Sequence, residues 1–165
     1  MRTRLRRQAP TLAAALAMTA LGVAASVLAA GPARAVPPVG VITEILGSGT
    51  TLAGFTIHAA GIKVESKHAA GVTVAHLTFA PGGTTGWYAH PGPVLVIVKT
   101  GAVTKYPADD CTAQTYTAGQ AFVEHGPTDE NMVRNNGSVP AETIVTLITP
   151  PGAPIHDAPP PGCNP

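Results

Sequence analysis

The sequence predicts an all-β fold: one small barrel or sandwich domain preceded by an N-terminal signal-peptide helix. Glycine and proline, with 18 and 17 residues, interrupt the chain too often for long helices after residue 35. Between them lie short apolar or β-branched runs, separated by turn residues at short spacing. Many short strands with regular turns are typical of sandwiches and closed barrels, and they argue against an α/β arrangement.

The N-terminus has the three parts of a signal peptide. Four arginines stand within the first seven residues, an apolar segment covers residues 12–30, and Ala33-Arg34-Ala35 supplies the small-residue pattern of a cleavage site. We expect cleavage near Ala35, secretion or residence in the cell envelope, and no stable membrane insertion afterwards. The alternative is an uncleaved anchor, because the apolar segment is close to the ~20 residues that span a bilayer.

Removal of residues 1–35 changes the charge of the chain. Five of the ten basic residues leave with the signal, so that five remain against nine carboxylates and the formal net charge falls from +1 to −4. No basic stripe is left to neutralise phosphates, and nucleic acid is therefore excluded as an expected partner. The remaining chain is long enough for one hydrophobic core and not for two.

The two cysteines agree with an exported protein. Their spacing matches no zinc motif, and oxidising compartments allow cysteine pairs to persist as disulfides. A bridge between Cys111 and Cys163 would stabilise the fold by roughly 4 kcal/mol on the chain-entropy model. The alternative is two unpaired thiols.

The apolar runs divide the mature chain into three parts. Residues 36–53 form an N-terminal extension with the first strands, residues 54–149 form the barrel domain, and residues 150–165 form a proline-rich tail. Asn136-Gly137 predicts a type I′ hairpin turn. The predicted strands cover residues 40–46, 52–57, 62–65, 72–79, 87–90, 94–99, 102–106, 120–124, 132–135 and 142–149.

The stretch FAPGGTTGWYAHPGPVLVIVKTG resembles the first sequence motif of the cupins. That motif has a glycine, a His-x-His pair, a glutamate three or four residues later and a closing glycine. In this chain Gly86, Tyr88, His90 and Gly101 stand at the corresponding positions.

The second cupin motif includes a histidine four residues before an asparagine, and Asn131 and Asn135 stand in those two places. The resemblance, to small exported bacterial cupins, covers residues from about 54 to 163. It implies a double-stranded β-helix, or jelly roll, with a pocket inside the barrel.

In metal-binding cupins, the two paired histidines, the glutamate and the second-motif histidine hold one divalent ion. Here Tyr88 replaces the first histidine and Asn131 replaces the last. Val94 or Leu95 stands where the glutamate should be, so that His90 alone is retained. A phenol with a pKa of ~10 and a neutral amide are poor ligands for first-row ions. We therefore expect no cofactor.

Relocated metal ligands are the alternative. Glu124, His125 and Glu130 lie close to Asn131 in sequence, and with His90 they would form a nitrogen and oxygen set for zinc, iron or manganese. The composition of residues 125–130 instead favours a solvated loop at the mouth of the barrel.

Five side chains are the predicted pocket candidates. His76 alternates with Val72 and Val74 along one strand face, and it either lines the pocket or is a hydrogen-bonded histidine elsewhere. Trp87 either plugs the barrel or provides a stacking surface. The full set is Tyr88, His90, Asn131, Trp87 and His76.

Three function classes follow from this pocket. The first is an exported protein that binds a small molecule in its barrel without a tightly held metal, and we favour it because most metal ligands are replaced. The second is a metal-dependent enzyme of the dioxygenase or isomerase type, and the third is a non-catalytic extracellular scaffold. The resemblance also implies a homodimer that associates through outer strands.

Overall fold

The structure is a computed structural model, and it describes residues 37–156. The predicted signal peptide, the end of the proline-rich tail and Cys163 lie outside these residues, so the signal and the disulfide stay predictions. Within residues 37–156 the regular secondary structure is all β. None of the described residues forms a helix long and apolar enough to cross a membrane.

Ten strands build the domain. The two short strands β2 and β3 form a hairpin of their own, and the other eight form one continuous sheet. Their bounds are β1 Val39–Thr50, β2 Phe55–Ala59, β3 Ile62–Ser66, β4 Gly71–Tyr88, β5 Val94–Thr100, β6 Ala102–Pro107, β7 Gln114–Thr117, β8 Ala121–Glu124, β9 Asn131–Arg134 and β10 Ala141–Thr149.

The eight-stranded sheet curls around a common interior. Its order is β7-β6-β9-β4-β10-β5-β8, with β1 added to β4, and every pairing is antiparallel. Neighbours in this order are mostly distant in sequence, as in a jelly roll. The prediction of an all-β jelly roll is confirmed.

Strand β4 belongs to both halves of the barrel. Its first part, up to Phe79, lies between β1 and β10, whereas its last part pairs with β9. The change of partner occurs at Gly82 and Gly83, where the backbone exchanges hydrogen bonds with Asn135. The Asn135 side chain donates to the carbonyls of residues 79, 80 and 139, which fixes this bend. The sequence predicted two separate strands here, at 72–79 and 87–90.

Side chains alternate between the interior and the outer face, as a pleated sheet requires. On β5 the valines at 94, 96 and 98 are buried, while Leu95 and Ile97 are about half exposed. The core cluster consists of Phe79, Val94, Val96, Val98, Val103, Phe122, Val133, Ala141, Val145 and Leu147.

The predicted hairpin at Asn136-Gly137 is wrong. Strands β9 and β10 flank this dipeptide but do not pair with each other, since β9 lies between β4 and β6 and β10 between β4 and β5. Gly137 instead donates its N–H to the Asn135 side chain in a crossover. The left-handed pair is Ala60-Gly61, with φ of 49° and 80°, which closes the β2-β3 hairpin.

Candidate functional site

The barrel interior contains a cavity of about 450 Å³. Its walls come from the inner faces of both halves of the sheet and are mainly apolar. Those apolar side chains include Val41, Leu77, Phe79, Val96, Phe122, Val133, Val145 and Leu147. The polar or titratable residues on the wall are Thr43, Thr85, Tyr88, His90, Glu124, Thr143 and His156.

Glu124 is the hydrogen-bonding centre of this wall. It ends β8, faces inward with Phe122 by strand alternation, and is 1% exposed. The Tyr88 hydroxyl donates to Oε1 of Glu124 at 2.6 Å. Nε2 of His90 lies 3.1 Å from Oε2 of Glu124. This is an ion-pair distance, although the ring N–H does not aim at the oxygen, so Oε2 has no hydrogen bond with satisfactory geometry among the described residues.

Tyr88 and His90 approach Glu124 from the end of β4 and the turn after it. Their rings contact each other edge to face, with centroids 4.9 Å apart. The other nitrogen of His90, Nδ1, lies 2.6 Å from the carbonyl oxygen of Ile155. His90 is therefore placed between two oxygen acceptors, one in the barrel and one in the C-terminal segment.

Glu124 helps to shift the pKa of each of its two titratable neighbours, Tyr88 and His90. Burial, with the charge and hydrogen bond of Glu124, raises the pKa of Tyr88 well above its ordinary value. For His90, burial alone would lower the pKa, but the nearby Glu124 carboxylate and the hydrogen bond to the Ile155 carbonyl outweigh it, so the pKa is raised. Tyr88 therefore stays a neutral phenol, and His90 binds its proton more tightly than a free imidazole does.

Of the other pocket candidates, Trp87 lies on the cavity wall, whereas Asn131 and His76 do not. Trp87 is buried and lines the cavity. Asn131 is paired in register with Tyr88 and is fully buried, but it is not on the cavity wall. Its Nδ2 donates to the Asp129 carbonyl, and its Oδ1 has no partner within residues 37–156. His76 lies outside the cavity, where its Nε2 is 2.9 Å from a carboxylate oxygen of Glu142.

The relocated metal ligands do not come together. His125 is largely exposed, and its Nδ1 lies 3.2 Å from Asp129. Glu130 borders a separate surface depression next to Asp129. Of the four residues proposed from sequence, His90 and Glu124 alone share the cavity wall.

The residues present do not fit a first-row metal ion. Glu124 accepts a hydrogen bond through one oxygen and pairs with His90 through the other, and the adjacent phenol is held in its protonated form. Residues 37–156 contain no group of three or more histidine, cysteine or carboxylate side chains that could hold an ion.

Two residues that interact with His90, Asp129 and Ile155, are not among the candidates that the sequence predicts. Asp129 accepts the His125 backbone N–H at 2.8 Å and pairs with Lys105 at 3.0 Å. Burial alone would raise the pKa of Asp129, but these contacts outweigh it and lower the pKa. Ile155 was also missed, because its carbonyl is a backbone group that no motif identifies. Glu124 was proposed as a metal ligand, and the alternation of Phe122 and Glu124 is the signal that places it inside the barrel.

Comparison with solved structures finds several cupins. A cupin domain from Bordetella pertussis Tohama I is 20% identical, with a TM-score of 0.46, over 73% of this chain and 100% of that chain. A cupin domain of an XRE-family transcriptional regulator from Enterobacter cloacae is 16% identical, with a TM-score of 0.45, over 68% and 99%.

A third similar structure is an oxalate oxidase. It is 25% identical, with a TM-score of 0.41, over 46% of this chain and 40% of that chain. No protein-family model matches the sequence, and the search of curated proteins returned no match. The activity of this protein therefore has to be argued from its own cavity.

Proposed function

We propose that this exported cupin binds a small, largely apolar molecule in its barrel and uses no tightly held metal to do so. The cavity of about 450 Å³ carries the proposal. Its volume lies within the range of ~300–1,000 Å³ that ligand pockets occupy, and apolar walls with a few polar groups are typical of such pockets. A barrel filled by its own side chains, as the scaffold alternative requires, would leave no space of this size.

The polar wall of the cavity, formed by Tyr88, His90 and Glu124, is better suited to binding a molecule than to transferring a proton. Both nitrogens of His90 already face acceptors, and the raised pKa of Tyr88 makes its phenolate inaccessible as a base. A general acid or base needs a pKa near the working pH and hydrogen-bond reach to the substrate. The metal-dependent alternative is weakened by the lack of a suitable donor set among the described residues.

Trp87 provides a direct test because it is the single tryptophan of the chain and it lines the cavity. The uncharged apolar dye N-phenyl-1-naphthylamine would be titrated into the purified protein. We expect saturable quenching of Trp87 emission with a matching rise in dye emission, at one dye per chain.

Two matched variants locate the dye. Val145→Phe places extra volume in the cavity and should weaken binding about tenfold or more, whereas Ile97→Phe adds the same ring to the outer face and should leave binding unchanged. Equal affinities of the two variants would contradict the proposal. Native mass spectrometry of the purified protein would show in parallel whether a metal or a small molecule is retained.

A further inference from the structure

The C-terminal segment reaches the mouth of the cavity. After β10 the chain turns at residues 150–153, where the Ala153 N–H donates to the Pro150 carbonyl and Gly152 has a φ of 77°. After this turn Ile155 and His156 lie on the cavity wall, which residues 37 and 38 from the other end of the described chain also line. The cavity is therefore bordered by the protein's own terminal segments.

A single hydrogen bond links this segment to the polar wall. Nδ1 of His90 lies 2.6 Å from the Ile155 carbonyl oxygen, and because a carbonyl can only accept, Nδ1 is the donor. Within the described residues, this is the one hydrogen bond that holds residues 154–156. Ile155 itself is 46% exposed, so its burial is only partial.

The identity of the acceptor indicates what the polar wall recognises. His90 presents an N–H at the mouth of an apolar cavity, and the group that satisfies it is an uncharged carbonyl attached to an apolar residue. A buried N–H donor without an acceptor is costly. A molecule with an uncharged carbonyl could replace the Ile155 carbonyl and still satisfy the His90 N–H.

We propose that the Ile155 carbonyl is an internal occupant of this polar subsite, and that the ligand is an uncharged apolar molecule whose carbonyl-type oxygen replaces it on Nδ1 of His90. This inference rests on the proposed function, because it specifies the ligand of the same cavity. Binding then involves exchange of one acceptor for another, with release of residues 154–156 from the mouth.

The charges around His90 favour an uncharged ligand. Glu124 is buried 3.1 Å from the opposite nitrogen of the ring, so a carboxylate already faces this histidine. An anionic ligand would bring a second negative charge to the same ring within apolar surroundings, where desolvation is costly. A cationic ligand would meet an N–H donor instead of an acceptor.

A set of three related dyes tests the ligand class on the full chain. The first is a dimethylaminonaphthalene that carries a propionyl ketone, the second is the same naphthalene without the ketone, and the third carries a carboxylate in its place. We expect the ketone to bind about tenfold more tightly than either of the others, as one charge-assisted hydrogen bond permits. His90→Phe should abolish this preference, and His90→Gln, which keeps an N–H donor, should restore part of it.

Two shortened chains test the internal occupant. A chain that ends at Gly152 lacks Ile155, whereas a chain that ends at Pro160 keeps it, and both lack Cys163. Because the competing carbonyl is gone, the chain ending at Gly152 should bind the ketone dye about tenfold more tightly than the chain ending at Pro160.

The outcomes separate the two proposals. Equal affinities of the ketone and ketone-free dyes for the full chain would overturn the inference and leave the proposed function standing. Equal affinities of the ketone dye for the two shortened chains would also overturn it. If none of the three dyes quenches Trp87, the proposed function itself fails.

Discussion

Glu124 joins three parts of the chain at the scale of single residues. Its carboxylate accepts a hydrogen bond from the Tyr88 hydroxyl and lies 3.1 Å from His90. The other ring nitrogen of His90 donates to the carbonyl of Ile155. A carboxylate that is 1% exposed is tolerated only when its charge and lone pairs are matched by partners. The polar wall is therefore a coupled unit, and loss of its centre affects every member.

The first prediction concerns the removal of that charge. Glu124→Gln leaves a buried histidine without its counter-charge, and breaking a buried ion pair typically costs about 3 kcal/mol or more of unfolding free energy. Urea denaturation would measure the loss. The matched control is Glu44→Gln, where the side chain is 69% exposed and a change within about 0.5 kcal/mol is expected. Equal effects of the two substitutions would rule out a central role for Glu124.

A second prediction follows from the raised pKa of His90. The folded state binds the proton more tightly than the unfolded state, so this contribution is complete below the unfolded pKa of ~6.5 and is lost as pH rises through the folded pKa. The denaturation midpoint should therefore fall more steeply as pH rises above ~6.5 in the natural protein than in His90→Gln. Parallel curves for the two proteins would show that His90 is not the linked group.

Sequence patterns located most of this wall but not its chemistry. The sequence predicts Tyr88, His90, Trp87 and Glu124 as candidates, and strand alternation explains why Tyr88 and His90 share the interior. Alternation does not explain Trp87, which is adjacent to Tyr88 and also lines the cavity. His76 follows the same alternation but falls on the opposite face, because the sequence does not tell which face of β4 is inward. The hydrogen bond to Ile155 was not predictable, since it depends on where a proline-rich segment passes in space.

At the scale of elements, most strands are predictable because turn residues separate the short apolar runs. The short strand β7 was missed because its sequence, QTYT, contains no aliphatic residue. The sequence predicts a break where β4 bends, since glycines such as those at 82 and 83 interrupt strands. Tertiary hydrogen bonds from Asn135 hold the strand through these glycines, and no local signal reveals them.

The third prediction tests close packing between two elements. A Cβ at Gly92, in the turn between β4 and β5, would overlap the carbonyl oxygen of Ile148 on β10. Gly92→Ala should therefore destabilise the protein by about 3 kcal/mol, because backbone atoms must shift. Gly47→Ala is the matched control, since nothing lies within 4 Å of its Cβ position. Thermal unfolding would compare them, and similar melting temperatures would contradict the packing shown.

At the scale of the whole molecule, the β2-β3 hairpin is distinct from the barrel. Alternation places Phe55, Ile57, Ile62 and Val64 on one face, with charged or polar side chains on the other. Ile57 and Ile62 are more than half exposed. Isolated two-stranded hairpins are marginally stable in water, so we expect this hairpin to be less stable than the barrel. The homodimer implied by the resemblance stays a prediction.

A fourth prediction addresses this face. The double variant Ile57→Thr/Ile62→Thr should change the unfolding free energy of the barrel by less than about 0.5 kcal/mol, because the substituted side chains are exposed. Sedimentation velocity of the same variant would report whether self-association depends on the hairpin. A large loss of stability would mean instead that the hairpin is covered in solution.

The double membership of β4 also determines the order in which the barrel can assemble. Its first part is flanked by β1 and by β10, which ends at residue 149, so the centre of the sheet is incomplete until nearly all the described chain is present. Contacts between such distant segments make folding slow, on the order of milliseconds to seconds for β proteins. A nascent chain that lacks β10 cannot reach the native state, and the barrel folds only after residue 149 has been synthesised.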